Sequence, residues 1–537
     1  MSLKDRLLNK VRYTFNIDPY EEFMKTLRSF QVNAVSACYS FEDKGRITAP
    51  CGCGKTCIQE AWHVGDMVEG DLPGDPGVYV IASHRLILNN QLLNRILDLA
   101  IQCGIPVDVL YVGSMSVNLA YYYTKYASIG YTTEVSRHLQ STSKAEIEQF
   151  VTRARSSNRS VLIVSTYDSF DLLANIGDIN QCSFDEAHNT LEQGFASNIA
   201  KVMPHIKKAR FFTATPKVRG EDGGMNDVSV YGEVLYDYAP HKALEDSEIS
   251  CPRIHIIDSI DPNKTTSDFN VHMLVKNLIE AYQKHKELVM AHSFDASMIA
   301  PKILVSASSS DEMISIYNNS TFRKFVESEN IATAAISSKE GGFFNTDSQN
   351  RTNFMIKLSC LADNQCAIIF NVDILTEGFD LPAITGVMPL RNMSSSRLLQ
   401  LLGRCLRLHK FDRTRLYDGQ LTPRDYDNYV KPFGYVIIPR HLTSVDEHAE
   451  MIRCIRTIIN AYNTPADHMV IQDKYHDQHH DQLESVIPFD PNAGRTFDLI
   501  HTIADVINME MFSEKIANMN QVDKIEYLKA ITGELRQ

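Results

Sequence analysis

Arg46-Ile47-Thr48-Ala49-Pro50-Cys51-Gly52-Cys53-Gly54-Lys55-Thr56 decides the reading of this chain. A short strand, Arg46 to Thr48, runs into two closely spaced glycines and then into Lys-Thr at the head of a helix expected over Lys55 to Val64. Glycines at that spacing let backbone N–H groups curl around phosphate oxygens, and the ammonium of Lys55 and hydroxyl of Thr56 reach the terminal phosphates and Mg²⁺. The positive end of the helix faces the same anion. A bulky residue at Gly52 or Gly54 would block that approach. The usual pattern opens with Gly five residues before the final Gly-Lys, and here Ala49 holds that place. A Gly-Lys-Thr triplet alone is equally an ordinary loop. Asp185-Glu186-Ala187-His188 downstream supplies the pair of carboxylates that a phosphate loop needs for metal and water, and so favours the phosphate reading.

Outward from the loop, apolar strands alternate with amphipathic helices, the pattern of a parallel sheet covered by helices. Val78 to Ala82, Ser160 to Ser165 and Arg210 to Thr213 read as strands, and Arg85 to Ala100 as a long helix. Ile179 to Phe184 should be a buried strand leading into the carboxylates, yet it is unusually polar for that task. Leu3 to Leu27 reads as a polar helical lead-in broken near Pro19. The rhythm resumes after Asp246 with strands expected at Lys302 to Ser306, Ile331 to Ile336, Cys366 to Asn371, Ile384 to Met388 and Gly434 to Ile438, and no second phosphate loop among them. From about His441 the pattern becomes mostly helical. The expected fold is α/β: a first parallel-sheet domain over 1–246 with an insertion near 111–156, a second over 247–440, and a mostly helical C-terminal extension over 441–537. A second sheet domain without its own nucleotide loop predicts that it closes over a nucleotide held by the first.

Composition sets the outer limits. The 537 residues, 44% hydrophobic and 22% charged, suit two or three soluble domains. The longest apolar runs, such as Val78 to Ala82 and Ala367 to Phe370, are strand-sized, so no membrane span is expected. The N-terminus does not read as a signal peptide. Eleven scattered cysteines predict free thiols in a reducing, cytoplasmic setting rather than secretion. Cys51, Cys53 and Cys57 could form a metal cluster or simply belong to the phosphate loop, and Cys53 is expected to make activity sensitive to thiol alkylation. The net charge of −13 argues against a generally basic surface but leaves room for a local basic groove. Tyr121-Tyr122-Tyr123, Tyr126 and Tyr131, interleaved with basic residues, could stack bases or pack within a surface insertion. Tyr475-His476-Asp477-Gln478-His479-His480-Asp481 could bind a metal or serve as a solvated connector.

The order of motifs resembles superfamily 2 helicases and translocases, tandem RecA-like motors, over roughly residues 27 to 410. Leu27-Arg28-Ser29-Phe30-Gln31 looks like the family's adenine-recognition element, which implies that Arg28 and Gln31 bind nucleotide together with Gly52, Cys53, Gly54, Lys55 and Thr56. Ser83-His84-Arg85 and Ser165-Thr166-Tyr167 stand at strand ends where the family touches nucleic acid. The resemblance to the DEAH box implies that Asp185, with Thr56, holds Mg²⁺ and that Glu186 orients and deprotonates the attacking water. Thr213-Ala214-Thr215-Pro216 looks like the coupling motif, with His188, Thr213 and Thr215 linking hydrolysis to the strand-gripping face. Ser306 resembles a phosphate contact. In Leu375-Thr376-Glu377-Gly378-Phe379-Asp380, Thr376 is implied to face nucleic acid and Gly378 and Asp380 the nucleotide. Gln400, Gly403, Arg404 and Arg407 fall at i, i+3, i+4 and i+7, one face of a helix, and the resemblance makes Arg404 and Arg407 the arginine fingers, with Gln400 beside them.

What this implies is an ATP- and Mg²⁺-dependent motor. The Gln-x-x-Gly-Arg-x-x-Arg form and the Asp-Glu-Ala-His box look most like DNA motors of the restriction-subunit and phage or viral recombination kind. DNA is therefore favoured over RNA as partner, with an RNA helicase second. An ATPase switch that changes conformation without unwinding is a third possibility.

Overall fold

The computed structural model describes residues 18–69, 77–84, 86–113, 137–217, 224–259, 267–337, 341–372, 383–390 and 395–441, with 455, 457–458, 461–462 and 469–472 beyond them. It divides into two compact units, Met1–Ala239 and Pro240–Gln537. The first is built on eight strands: β1 Lys44–Thr48, β2 Val78–Ser83, β3 Val107–Val112, β4 His138–Ser141, β5 Ser160–Thr166, β6 Ile179–Asp185, β7 Ile206–Thr213 and β8 Glu233–Asp237. They lie side by side in the order β4-β3-β5-β2-β6-β7-β1-β8, and every pairing is parallel.

Parallel strands need helical crossovers, so both faces of the sheet are covered and its strands are apolar throughout. β2 shows this at single-residue resolution. Val78, Val80 and Ala82 point into one core with Phe170, Phe184 and Phe211, while Tyr79 and Ile81 enter the opposite core with Leu93, Ile96 and Val164. The polar strand over 179–185 is central, flanked by β2 and β7. Its polarity is absorbed locally, for Ser183 Oγ lies 2.9 Å from His63 Nε2 on the neighbouring helix Lys55–Glu69. Burial holds that imidazole down at about 3, hence neutral.

Pro19, near which the lead-in is expected to break, starts a helix. It occupies the first turn of Pro19–Lys25 behind Asp18, whose carboxylate accepts the Tyr20 N–H, because Pro lacks only a donor that the first turn leaves unused anyway. The expected insertion over 111–156 begins and ends inside the sheet unit. Tyr111 is buried in β3, His138–Ser141 is an edge strand, and Lys144–Ser156 packs Ile147, Val151 and Ala154 into the core. Tyr121 to Tyr131 lie outside the described residues.

The second unit carries nine strands: β9 Cys251–Ser259, β10 Lys302–Ser306, β11 Ala332–Ser337, β12 Gly341–Phe344, β13 Asp347–Gln349, β14 Ala367–Asn371, β15 Gly386–Pro389, β16 Phe433–His441 and β17 Met469–Gln472. Their order is β13-β12-β11-β14-β10-β15-β16-β9-β17. Seven strands run parallel, and the hairpin of β12 and β13 is antiparallel at one edge. Among the described residues of the C-terminal extension, Met469–Gln472 is a strand that joins this sheet beside β9, in the stretch expected to be mostly helical. Tyr475 to Asp481 lie outside the described residues. No described helix is long and apolar enough to cross a membrane.

Candidate active site

The parallel sheet of the first unit puts the sequence motifs in a row. Register pairs Thr48 with Thr213, Ser83 with Thr166, Asp185 with Phe212 and Ala82 with Phe184. Thr166, Ser83, Asp185, Thr213 and Thr48 therefore end five adjacent strands at the same edge, about 5 Å from one neighbour to the next. In open α/β sheets this carboxyl edge is where ligands bind.

The phosphate loop leaves β1 with Ala49 N donating to Thr213 O at 3.2 Å. It turns through Gly52 at φ 88° and Gly54 at φ 78°, left-handed values that favour glycine. A Cβ on Gly54 would also lie 2.7 Å from Gln31 Nε2. Lys55, 9% exposed, donates from Nζ to Ala49 O at 3.1 Å, which folds its ammonium back across the loop. Burial works against its charge, but Cys51, Glu186 and Asp185 outweigh it and hold the ammonium above its ordinary value.

Arg28 and Gln31 brace this loop. Arg28 N–H donates to Gln31 Oε1 at 3.0 Å, Gln31 Nε2 donates to the carbonyls of Cys53 and Gly54 at 3.2 Å each, and Arg28 Nη2 donates to Cys53 O. Gln31 is 3% exposed, so its amide serves the loop backbone rather than presenting an edge to a base. Cys53 is fully enclosed, which removes it as the site of alkylation expected from its place in the loop; Cys57, one turn on, is half-buried. Among the described residues no group of three or more His, Cys, Asp or Glu gathers to hold a metal.

Across the edge, Asp185 ends β6 and accepts from Gln59 Nε2 at 3.0 Å, while its carbonyl accepts from the Tyr167 hydroxyl at 2.7 Å. Gln59 carries no motif signal, and Tyr167, quoted only as the last residue of a strand-end motif, is brought to this carbonyl by the fold. Burial, then the neighbouring Glu186, push the Asp185 carboxyl up to about 6, with Lys55 opposing them. Glu186 takes a left-handed backbone, φ 50° and ψ 49°, uncommon for a residue with a Cβ. Its side chain is buried, its Oε2 accepts no hydrogen bond among the described residues, and His188 Nδ1 lies 3.6 Å from that oxygen. His188 Nδ1 also reaches Thr213 Oγ1 at 3.0 Å, and that hydroxyl oxygen accepts the Thr215 N–H at 3.1 Å. The structure thus brings together His188, Thr213 and Thr215.

The expected strand contacts are less uniform. Ser83 is fully buried, His84 is half-buried and lies 3.2 Å by Nδ1 from Asn189 Nδ2, and Thr166 is half-buried. Ser306 ends β10 and is buried, with its Oγ making no hydrogen bond among the described residues. Arg85, Thr376, Gly378 and Asp380 lie outside the described residues.

In the second unit, Gln400, Gly403 and Arg404 lie on the helix Ser395–Cys405, with Gln400 and Arg404 buried. Arg407 does not continue that helix, contrary to the i+7 spacing argument. Its backbone pairs antiparallel with Ile249, Ser250 N donates to Leu406 O at 2.7 Å, and Lys431 Nζ donates to Arg407 O at 2.6 Å. These donors capture carbonyls that another helical turn would need, so Arg407 is held, half-buried, by tertiary contacts.

No protein-family model matches the sequence, and no curated protein is similar to it. Solved structures are. The chain superposes on the ATP-dependent Type ISP restriction-modification enzyme LlaBIII bound to DNA with a TM-score of 0.57 at 17% identity, covering 84% of this chain and 32% of that one. It spans about a third of that enzyme's length. S. cerevisiae Dbp5 bound to RNA and ADP BeF3 is matched with a TM-score of 0.48 at 12% identity, over 93% of this chain and 97% of that one. The two parallel-sheet units have the tandem RecA-like fold.

Proposed function

We propose that this chain is an ATP-dependent helicase or translocase that acts on nucleic acid, with DNA as the favoured strand. The observation that carries the reading is the edge of the first sheet, where a glycine-turned loop with a buried Lys55 faces two adjacent carboxylates, the half-buried Asp185 and the buried Glu186. One ammonium beside two carboxylates in a buried setting leaves negative charge uncompensated, and a divalent cation with the phosphates it carries fits that donor set. Thr56 and Asp185 would hold the ion, in keeping with the few protein oxygens that Mg²⁺ takes when it also binds phosphates. A Mg²⁺ ion bound there would supply positive charge against the phosphates.

Lys55 and the loop amides bind and orient the phosphates. Glu186, with a carboxylate oxygen uncommitted to other described groups, orients a water and takes its proton. Arg404 and Arg407 are assigned as arginine fingers, with Gln400 beside them, and Gly378, Asp380, Arg28 and Gln31 as further support for the nucleotide. Ser83, His84, Arg85, Thr166, Ser306 and Thr376 are assigned to the strand, which is held by its phosphates without sequence preference. DNA is favoured because the motif forms look like those of DNA motors and because the LlaBIII structure is bound to DNA.

The test is ATP turnover across a panel of single strands, duplexes, forks and four-way junctions in DNA and RNA, beside a strand-displacement assay. Stimulation at least several-fold by DNA over RNA, falling steeply with salt, is expected. Turnover indifferent to every nucleic acid would remove the reading.

A further inference from the structure

We propose that Asn189, which lies outside every motif recognised in the sequence, is the positioning residue through which strand binding accelerates hydrolysis. The inference rests on the functional reading above.

Asn189 is 7% exposed and lies in the single-turn 3₁₀ segment Ala187–Leu191 that follows Glu186. Its backbone N–H donates to the Glu186 carbonyl at 3.0 Å. Its side-chain Nδ2 donates to that same carbonyl at 3.2 Å and also lies 3.2 Å from His84 Nδ1. A carboxamide NH₂ has two N–H bonds, so one can serve each acceptor, the Glu186 carbonyl and His84 Nδ1. β2 and β6 are neighbours in the sheet, and the pairing of Ala82 with Phe184 sets the turn after each strand beside the other. One side chain therefore spans from the turn assigned to the strand to the carbonyl of the residue assigned as general base.

The backbone of Glu186 makes that grip consequential. At φ 50° it occupies the left-handed region that a residue with a Cβ rarely adopts, and it persists there only when neighbouring contacts fix it. Two of those contacts come from Asn189. When a bound strand shifts His84, Asn189 transmits the shift to the Glu186 carbonyl, and with it to the direction in which the carboxylate points. His188 and Thr213 link the same turn to β7 from the other side, so Asn189 adds a separate connection toward β2.

The experiment compares turnover with and without single-stranded DNA. Asn189→Ala is expected to lower the stimulation ratio at least tenfold while strand affinity, read by fluorescence anisotropy with a non-hydrolysable ATP analogue, changes less than twofold. Asn189→Ser keeps a hydroxyl near the Glu186 carbonyl but is too short to reach His84 as well. It is expected to lose the stimulation ratio just as far with its thermal midpoint unchanged, a result that a purely structural role would not give, and it decides the question should the alanine variant fail to fold. In the double variant with His84→Ala, the ratio should fall no further than in the worse single variant. Full stimulation in Asn189→Ser, or independent additive losses in the double variant, would overturn the inference while leaving the functional reading intact. A wild-type chain that no strand stimulates would overturn both.

Discussion

Glu186 and Lys55 are the residues on which the chemistry is staked. Glu186→Gln removes the proton acceptor but keeps size and hydrogen bonding, so turnover should fall by about 10²–10⁴ while ATP affinity, measured by equilibrium titration, holds within a few-fold. Lost binding instead would make Glu186 a structural residue. Lys55→Ala should abolish measurable hydrolysis, and wild-type turnover there would remove the phosphate-loop assignment. Arg407→Ala should cost about 10³ in turnover if it is the main finger. Spacing alone grouped Asp185 with Glu186 and Lys55 with Thr56, because each pair is local in sequence. The partners that fix their geometry, Gln59 on Asp185 and Asn189 on the Glu186 carbonyl, were silent in the sequence, since a lone Gln or Asn carries no pattern.

At the level of elements, strands with both faces buried were legible and edge or locally determined ones were not. β2, β5 and β10 are continuous apolar runs, as a two-sided parallel sheet demands. β6, read as a buried strand in spite of its polar residues, is one, and its Ser183 is answered by His63 from a helix more than a hundred residues earlier. The same logic governs Arg407, whose place is set by Ile249, Ser250 and Lys431 rather than by the helix that precedes it. Lys431 is held in turn by Asp412, whose two carboxylate oxygens accept the backbone N–H groups of Val430 and Lys431 at 2.8 Å each. Asp412→Ala orphans two buried donors and should destabilise the second unit by about 2–5 kcal/mol, read by urea unfolding. Because Lys431 holds the Arg407 carbonyl, turnover should fall as well. A variant as stable and as active as wild type would show this support to be dispensable.

For the whole molecule, acid stability follows from imidazoles locked in the two cores. His63 in the first unit and His285 in the second are fully buried, each beside a hydroxyl, and burial pushes both down to about 3. An unfolded imidazole takes its proton near pH 6.5, so the unfolded state binds more protons below that value. Stability present above pH 6.5 is therefore lost as pH falls toward 3, at about 1.4 kcal/mol per pH unit for each group. Unfolding midpoints should drop on acidification from pH 7 to 5.5, and His63→Gln should flatten the slope for the first unit by one proton; an unchanged slope would mean that His63 is charged in the folded chain. By itself, the sequence determined two parallel-sheet units and the identity of the loop and carboxylate motifs, because continuous apolar runs, glycine spacing and adjacent acids are properties of neighbours along the chain. Only the tertiary structure decided how each motif residue is held. Strand order and register, set by pairings across tens to more than a hundred residues, enclose Ser83 and Cys53, turn the Gln31 amide onto the loop, lift Arg407 off its helix and place Asn189 between His84 and Glu186.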